Sequence, residues 1–99
     1  MTLRLKFTPR AKRELTRVAD WWRVERPSAP ELVLDELEAA LATLAAAPHI
    51  GVVYARARPG TRRFLLTQTR LHVYYTVRGA DLVVLSVWSS VRGAGPRLR

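Results

Sequence analysis

Residues 70–77, Arg70-Leu71-His72-Val73-Tyr74-Tyr75-Thr76-Val77, set the frame for the whole chain, because apolar side chains recur there at every second position. Successive side chains of an extended segment point to opposite faces. Leu71, Val73, Tyr75 and Val77 therefore share one face, and Arg70, His72, Tyr74 and Thr76 the other. The first face suits a core and the second is polar and aromatic. Runs rich in branched and aromatic residues lie on either side, at 61–67 and 82–88. The breaks between them, Gln68-Thr69 and Arg78-Gly79-Ala80-Asp81, are short, so the three strands are expected to form an antiparallel meander. Residues 52–60 (VVYARARPG) offer one more extended run, closed by the turn Pro59-Gly60, whose pairing the sequence leaves open.

Upstream of residue 52 the period is helical. Thr8-Pro9 supplies an N-cap followed by proline at the first helical position. Ala11, Leu15, Val18 and Trp22 then recur as the stripe of an amphipathic helix, which should end near Arg26 because Pro27 disfavours helical geometry before it. Ser28-Ala29-Pro30-Glu31 has capping-box spacing and predicts a second helix. Val33, Leu37, Ala40, Leu41 and Leu44 form its apolar stripe, with Glu31, Asp35 and Glu38 opposite, and Pro48 and Gly51 stop it. So short a link predicts an antiparallel helical hairpin. At the start, Leu3, Leu5 and Phe7 alternate with Arg4 and Lys6, a strand that must enter the sheet to bury its apolar face. The expected fold is α+β: an antiparallel sheet packed against an α-helical hairpin, in the order β-α-α-β-β-β.

The 99 residues fit a single domain, taken as 1–92, with GAGPRLR at 93–99 read as a flexible basic tail. Apolar residues at 48% and charged residues at 25% mark a globular chain rather than a disordered one. With no cysteine, and with His49 and His72 far apart in sequence, no metal site and no cofactor are expected. No apolar run nears the roughly 20 residues of a membrane span, and the first ten residues lack the apolar core of a secretion signal, so no membrane partner and a cytoplasmic location are expected.

Charge is distributed unevenly. Residues 1–50 hold eight basic and seven acidic side chains, whereas residues 51–99 hold nine arginines against Asp81 alone. This points to a surface for an anionic partner, nucleic acid or an acidic protein, or else to a solvated surface in an arginine-rich proteome. Fifteen of the seventeen basic residues are arginine, which suits bidentate grip on phosphate or carboxylate.

FTPRAKREL leading into VADWW, PSAP between the helices, LAAAPHIG after the second helix, the GTRRFLL and RLHVYY strands and the closing VLSVWSSVR resemble the RelE/ParE toxin superfamily, ParE-like branch. The resemblance runs from about Leu3 to Arg92. It implies a toxin of a type II toxin–antitoxin pair, neutralised by a cognate acidic antitoxin and directed at DNA gyrase. The alternative it carries is a RelE-like toxin acting on the ribosome and its mRNA as a metal-independent ribonuclease.

Such a ribonuclease needs acid–base groups and cations in one cleft. Laid on the superfamily pattern Val-X-His-Gly-X-Arg, VWSSVR places Ser89 at the histidine and Arg92 at the arginine. A serine hydroxyl does not titrate near neutrality, so the nuclease reading falls back on Arg63, His72, Tyr74 and Arg92 as a dispersed cleft. His72 is either that cleft's acid–base group or incidental to it. Arg62 and Arg63 point to opposite faces, so at most one joins His72 and Tyr74. Trp21 is left on the flank of its helix, to cover the sheet edge or to receive an antitoxin segment, while Trp88 either stacks a partner or caps the core. The contact residues read for target or partner are Trp21, Arg62, Arg63, Trp88, Ser89, Arg92, Arg97 and Arg99.

Overall fold

The computed structural model describes residues 2–91 and 95–98. Two helices, α1 (Pro9–Glu25) and α2 (Leu32–Ala46), pack on one face of a five-stranded sheet. Its strands are β1 (Arg4–Phe7), β2 (Val52–Val53), β3 (Arg62–Leu66), β4 (Leu71–Arg78) and β5 (Asp81–Ser89), in the order β1-β5-β4-β3-β2. The meander β3–β4–β5 is antiparallel, as its sequence requires, and the loosely assigned run after Gly51 supplies only the two-residue β2 beside β3.

The first strand makes the sheet mixed. β1 lies parallel to β5 with Arg4 opposite Asp81, and Asp81 holds that end by bonding Arg4 at 3.0 Å and approaching Lys6 at 3.7 Å. Leu3 and Phe7 pack against the core, but Leu5 stays 45% exposed on this edge strand, against the expectation that all three are buried. Thr8 then joins strand to helix. Its amide donates to the Val84 carbonyl, and its hydroxyl accepts the Ala11 amide at 3.1 Å as the α1 N-cap while donating to Leu85 at 3.2 Å. The ladder slips at this point, Tyr74 facing Ser86 and Tyr75 facing Val84, so Leu85 is a β-bulge.

The core lies between helices and sheet: Ala11 and Ala19 from α1, Val33, Leu37, Leu41 and Leu44 from α2, and Val73, Tyr75, Leu82 and Val84 from the sheet. The α2 N-terminus corrects one expectation. Residues 27–31 form turns, with Ala29 N–H bonded to Arg26 and Leu32 N–H to Ala29, and the helix starts only at Leu32. Glu31 stands at the N-cap without a side-chain cap bond, because its carboxylate takes the Arg23 guanidinium at 2.9 and 3.3 Å. The pair of Ser28 and Glu31 therefore does not close a capping box. Further along α2, Glu36 receives the amides of Gln68 and Thr69 and the Thr69 hydroxyl, pinning the β3–β4 turn where Arg70 adopts φ 63°.

Candidate functional site

The ladder decides which side chains meet on the sheet face away from the helices. Arg63 lies opposite Tyr74, and His72 lies opposite both Leu65 and Trp88. Directly paired residues share a face, so Arg63, His72, Tyr74 and Trp88 converge there. Tyr54, just past β2, closes one side: its ring meets Tyr74 edge-on at 4.8 Å, and the Arg63 guanidinium stands 5.7 Å over it. His72 meets Tyr74 edge-on at 5.9 Å. Together with Arg56 these residues line a cavity of about 370 Å³.

Arg62 goes the other way. It pairs with Tyr75, and its guanidinium donates to the carbonyls of Gly51 at 2.7 Å and His49 at 3.2 Å, tying the chain before β2 to β3. Of the two adjacent arginines, Arg63 is the one in the cleft.

Tyr74 lies on the polar, aromatic face and not on the core face, yet it is only 1% exposed. Tyr54 covers one side of it, and the end of the chain covers another. An added Cβ on Gly95 would stand 2.4 Å from the Tyr54 hydroxyl oxygen and 3.4 Å from that of Tyr74, so only glycine lets the backbone approach this closely. Pro96 is buried, and Arg10 of α1 donates a hydrogen bond to the Arg97 carbonyl. The described part of the expected tail, residues 95–98, thus lies against the cleft rather than away from the domain; Arg92 and Arg99 lie outside the described residues.

Burial lowers the pKa of His72 below its ordinary value, and the neighbouring Arg63 cation lowers it further. Burial raises that of Tyr74, partly offset by Arg63. At neutral pH the cleft therefore holds a neutral imidazole and a protonated phenol beside a fixed cation. That set can hold a phosphate or carboxylate and stack a planar group. Ser89, at the position read for a titratable group, accepts the Val91 amide at 3.3 Å.

A second cavity, of about 260 Å³, opens between α1 and the ends of β4 and β5. Val18, Trp21, Leu71, Val87 and Trp88 make it mainly apolar. Trp21 is 51% exposed at its mouth and meets Trp22 edge-on at 6.0 Å, while Trp22 packs against the core. Trp88 lines both cavities, with the Arg10 guanidinium 5.9 Å over its ring. Glu14 is the residue sequence reading missed here. Its carboxylate bonds the Ser86 hydroxyl at 2.7 Å, the Val87 amide at 3.1 Å and Arg10 at 3.2 Å. It thereby closes the edge of β5 beyond the last β1 pair, Phe7 with Val84. Its only sequence signal is a carboxylate on a helix whose other acids lie nearer the C-terminus.

Among the described residues no helix is long and apolar enough to cross a membrane. The family described as the ParE toxin of type II toxin-antitoxin systems, parDE, matches residues 5–92. No curated protein sequence matches the chain. Among solved structures, the chromosomal ParDE toxin–antitoxin system of P. aeruginosa superposes with a TM-score of 0.73 at 19% identity, over 89% of this chain and 96% of that one. An arginine-substituted mutant of the E. coli toxin RelE in its free state superposes with a TM-score of 0.61 at 20% identity, over 92% of this chain and 86% of that one. These likenesses establish the fold.

Proposed function

The chain belongs to the ParE toxin family, and from that premise we propose that this type II toxin acts by binding DNA gyrase and blocking its turnover, until a cognate acidic antitoxin covers it. The observation that carries the choice of mechanism is Tyr74. It meets His72 edge-on and stands opposite Arg63, yet it is 1% exposed, lies under Gly95 and has a raised pKa. A group so placed is a poor proton donor to a leaving oxygen. Arg63, His72 and Trp88 then serve better as a contact surface, with Arg63 available to a carboxylate or phosphate of the target.

A second reading keeps the nuclease chemistry, because Arg63, His72 and Tyr74 do share one face. Neutral His72 would take the proton of a 2′-hydroxyl as its oxygen attacks the phosphorus, and Arg63 would stabilise the phosphorane. The imidazolium so formed would return the proton to the 5′-oxygen as its bond to phosphorus breaks. Two assays on toxin freed from its antitoxin separate the readings. Gyrase inhibition predicts loss of supercoiling by purified gyrase with ribosome-bound message intact; the ribonuclease predicts cut message and unaffected supercoiling.

A further inference from the structure

Ion pairing along α1 leaves one cluster of cations uncompensated. Glu14 is engaged by Ser86, Val87 and Arg10, and Asp20 is bonded to Arg23 at 3.1 Å. Lys12, Arg13 and Arg17 are exposed, and no carboxylate pairs with them among the described residues. With Thr16 and Asp20, whose carboxylate is held by Arg23, they line a shallow groove on the outer side of the helix. Other basic residues are engaged elsewhere: Arg4 and Lys6 at Asp81, Arg23 at Glu31 and Arg62 at backbone carbonyls, while Arg56 and Arg63 belong to the cleft. Exposed Arg70 lies on the β3–β4 turn, Arg78 at the end of β4 beside the next turn, and Arg58 with Arg56 on the loop after β2.

We propose that Lys12, Arg13 and Arg17 form a docking face for the phosphodiester backbone of duplex DNA. Two properties favour DNA over an acidic protein. The groove has no apolar lining residue, whereas the centre of a protein interface is depleted in charge and anchored by aromatic side chains. Apolar anchorage is confined to the neighbouring Trp21 cavity, which shares only Arg17 with the groove. Phosphate recognition needs only cations held at a fixed spacing, and a rigid helix of 17 residues provides it. Arg13 and Arg17, four residues apart, stand about 6 Å from each other along the axis on the same side of the helix. The face is independent of the cleft and of which enzyme the toxin inhibits. It would let the toxin engage a target that already holds DNA.

The test is fluorescence anisotropy with a labelled DNA duplex of mixed sequence, using the full chain freed from its antitoxin at several salt concentrations. Lys12→Gln, Arg13→Gln and Arg17→Gln are combined in one variant and Arg58→Gln, Arg70→Gln and Arg78→Gln in another, so that both lose the same charge. Glutamine is a good helix former, and circular dichroism with a thermal melt verifies that both variants fold. Each lost phosphate contact lowers the slope of log affinity against log salt by about 0.9, so the α1 variant should lose a slope of about 2 to 3 and the turn variant less than about 1. Equal losses in the two variants would overturn the proposal, since binding would then follow net charge alone. Competition by polyglutamate as effective as by unlabelled duplex, at equal charge concentration, would also overturn it, in favour of an acidic polypeptide.

Discussion

The Tyr75 hydroxyl accepts a hydrogen bond from the Gly51 amide at 3.1 Å and donates one to the Pro48 carbonyl at 2.6 Å, so a single core phenol holds the chain where it leaves α2 for the sheet. A Cβ at Gly51 would stand 2.2 Å from that oxygen. Gly51→Ala should therefore destabilise the fold by about 2–3 kcal/mol through overpacking. Tyr75→Phe should cost about 1–3 kcal/mol by leaving the buried Gly51 amide and the half-buried Pro48 carbonyl without this partner. Urea unfolding measures both, and the double variant should cost less than the sum, because removing the hydroxyl relieves the clash.

Glu14 is a second such joint. Glu14→Ala strips the Ser86 hydroxyl and the Val87 amide of their acceptor, and should cost about 1–3 kcal/mol in denaturant unfolding. Hydrogen exchange should accelerate at Val87 more than at Val73 in the middle of the sheet. Uniform acceleration at both would show that Glu14 acts on global stability alone.

The pH dependence of stability follows from His72. Its folded pKa lies below the ordinary imidazole value of 6.5, so the unfolded chain binds the proton more readily. The contribution of neutral His72 is fully present above pH 6.5 and is lost as pH falls through the lower folded value. His72→Gln should flatten the decline of stability between about pH 7 and pH 5, measured by melts at fixed ionic strength. A decline unchanged in the variant would assign it to the carboxylates.

Antitoxin binding tests the apolar groove. With Trp21 half exposed beside Val18, Leu71 and Trp88, the complex should persist through molar salt, and Trp21→Ala should weaken it by about 30-fold or more. A complex that dissociates in salt and tolerates Trp21→Ala would place the affinity in the arginines instead.

Gly95→Ala probes the end of the chain. The added methyl cannot fit against the Tyr54 and Tyr74 hydroxyls, so residues 95–98 should lift from the cleft. Proteolysis near residue 97 and near-ultraviolet circular dichroism of the tyrosines should both change, with the melting temperature moving only a few degrees.

Local pattern carried most of the architecture into view, because the alternation in β4 and the stripes of α1 and α2 are short-range consequences of burial. What escaped depends on partners distant in sequence. The parallel entry of β1 pairs it with a strand 77 positions away, where Asp81 meets Arg4 and Lys6, and the failed capping box accompanies Arg23 reaching Glu31. In the cleft, period-two reasoning placed His72 with Tyr74 and separated Arg62 from Arg63, yet it could not foresee that Tyr54 and Gly95 would bury the phenol. Counting charges by halves drew attention to the C-terminal arginines. The unpaired α1 cations were masked because residues 1–50 hold nearly as many acids as bases, while Glu14 and Asp20 bond elsewhere.

The parallel pairing of β1 with β5 also bears on when this toxin acquires its structure. Arg4 and Asp81 are 77 positions apart, and Thr8 and Glu14 reach across comparable separations to the same strand. Contacts this distant in sequence raise contact order and slow folding. During synthesis the first strand, the α1 cap and the Glu14 carboxylate have no counterpart until β5 has been translated. A nascent toxin is therefore incomplete for nearly the whole of its time on the ribosome.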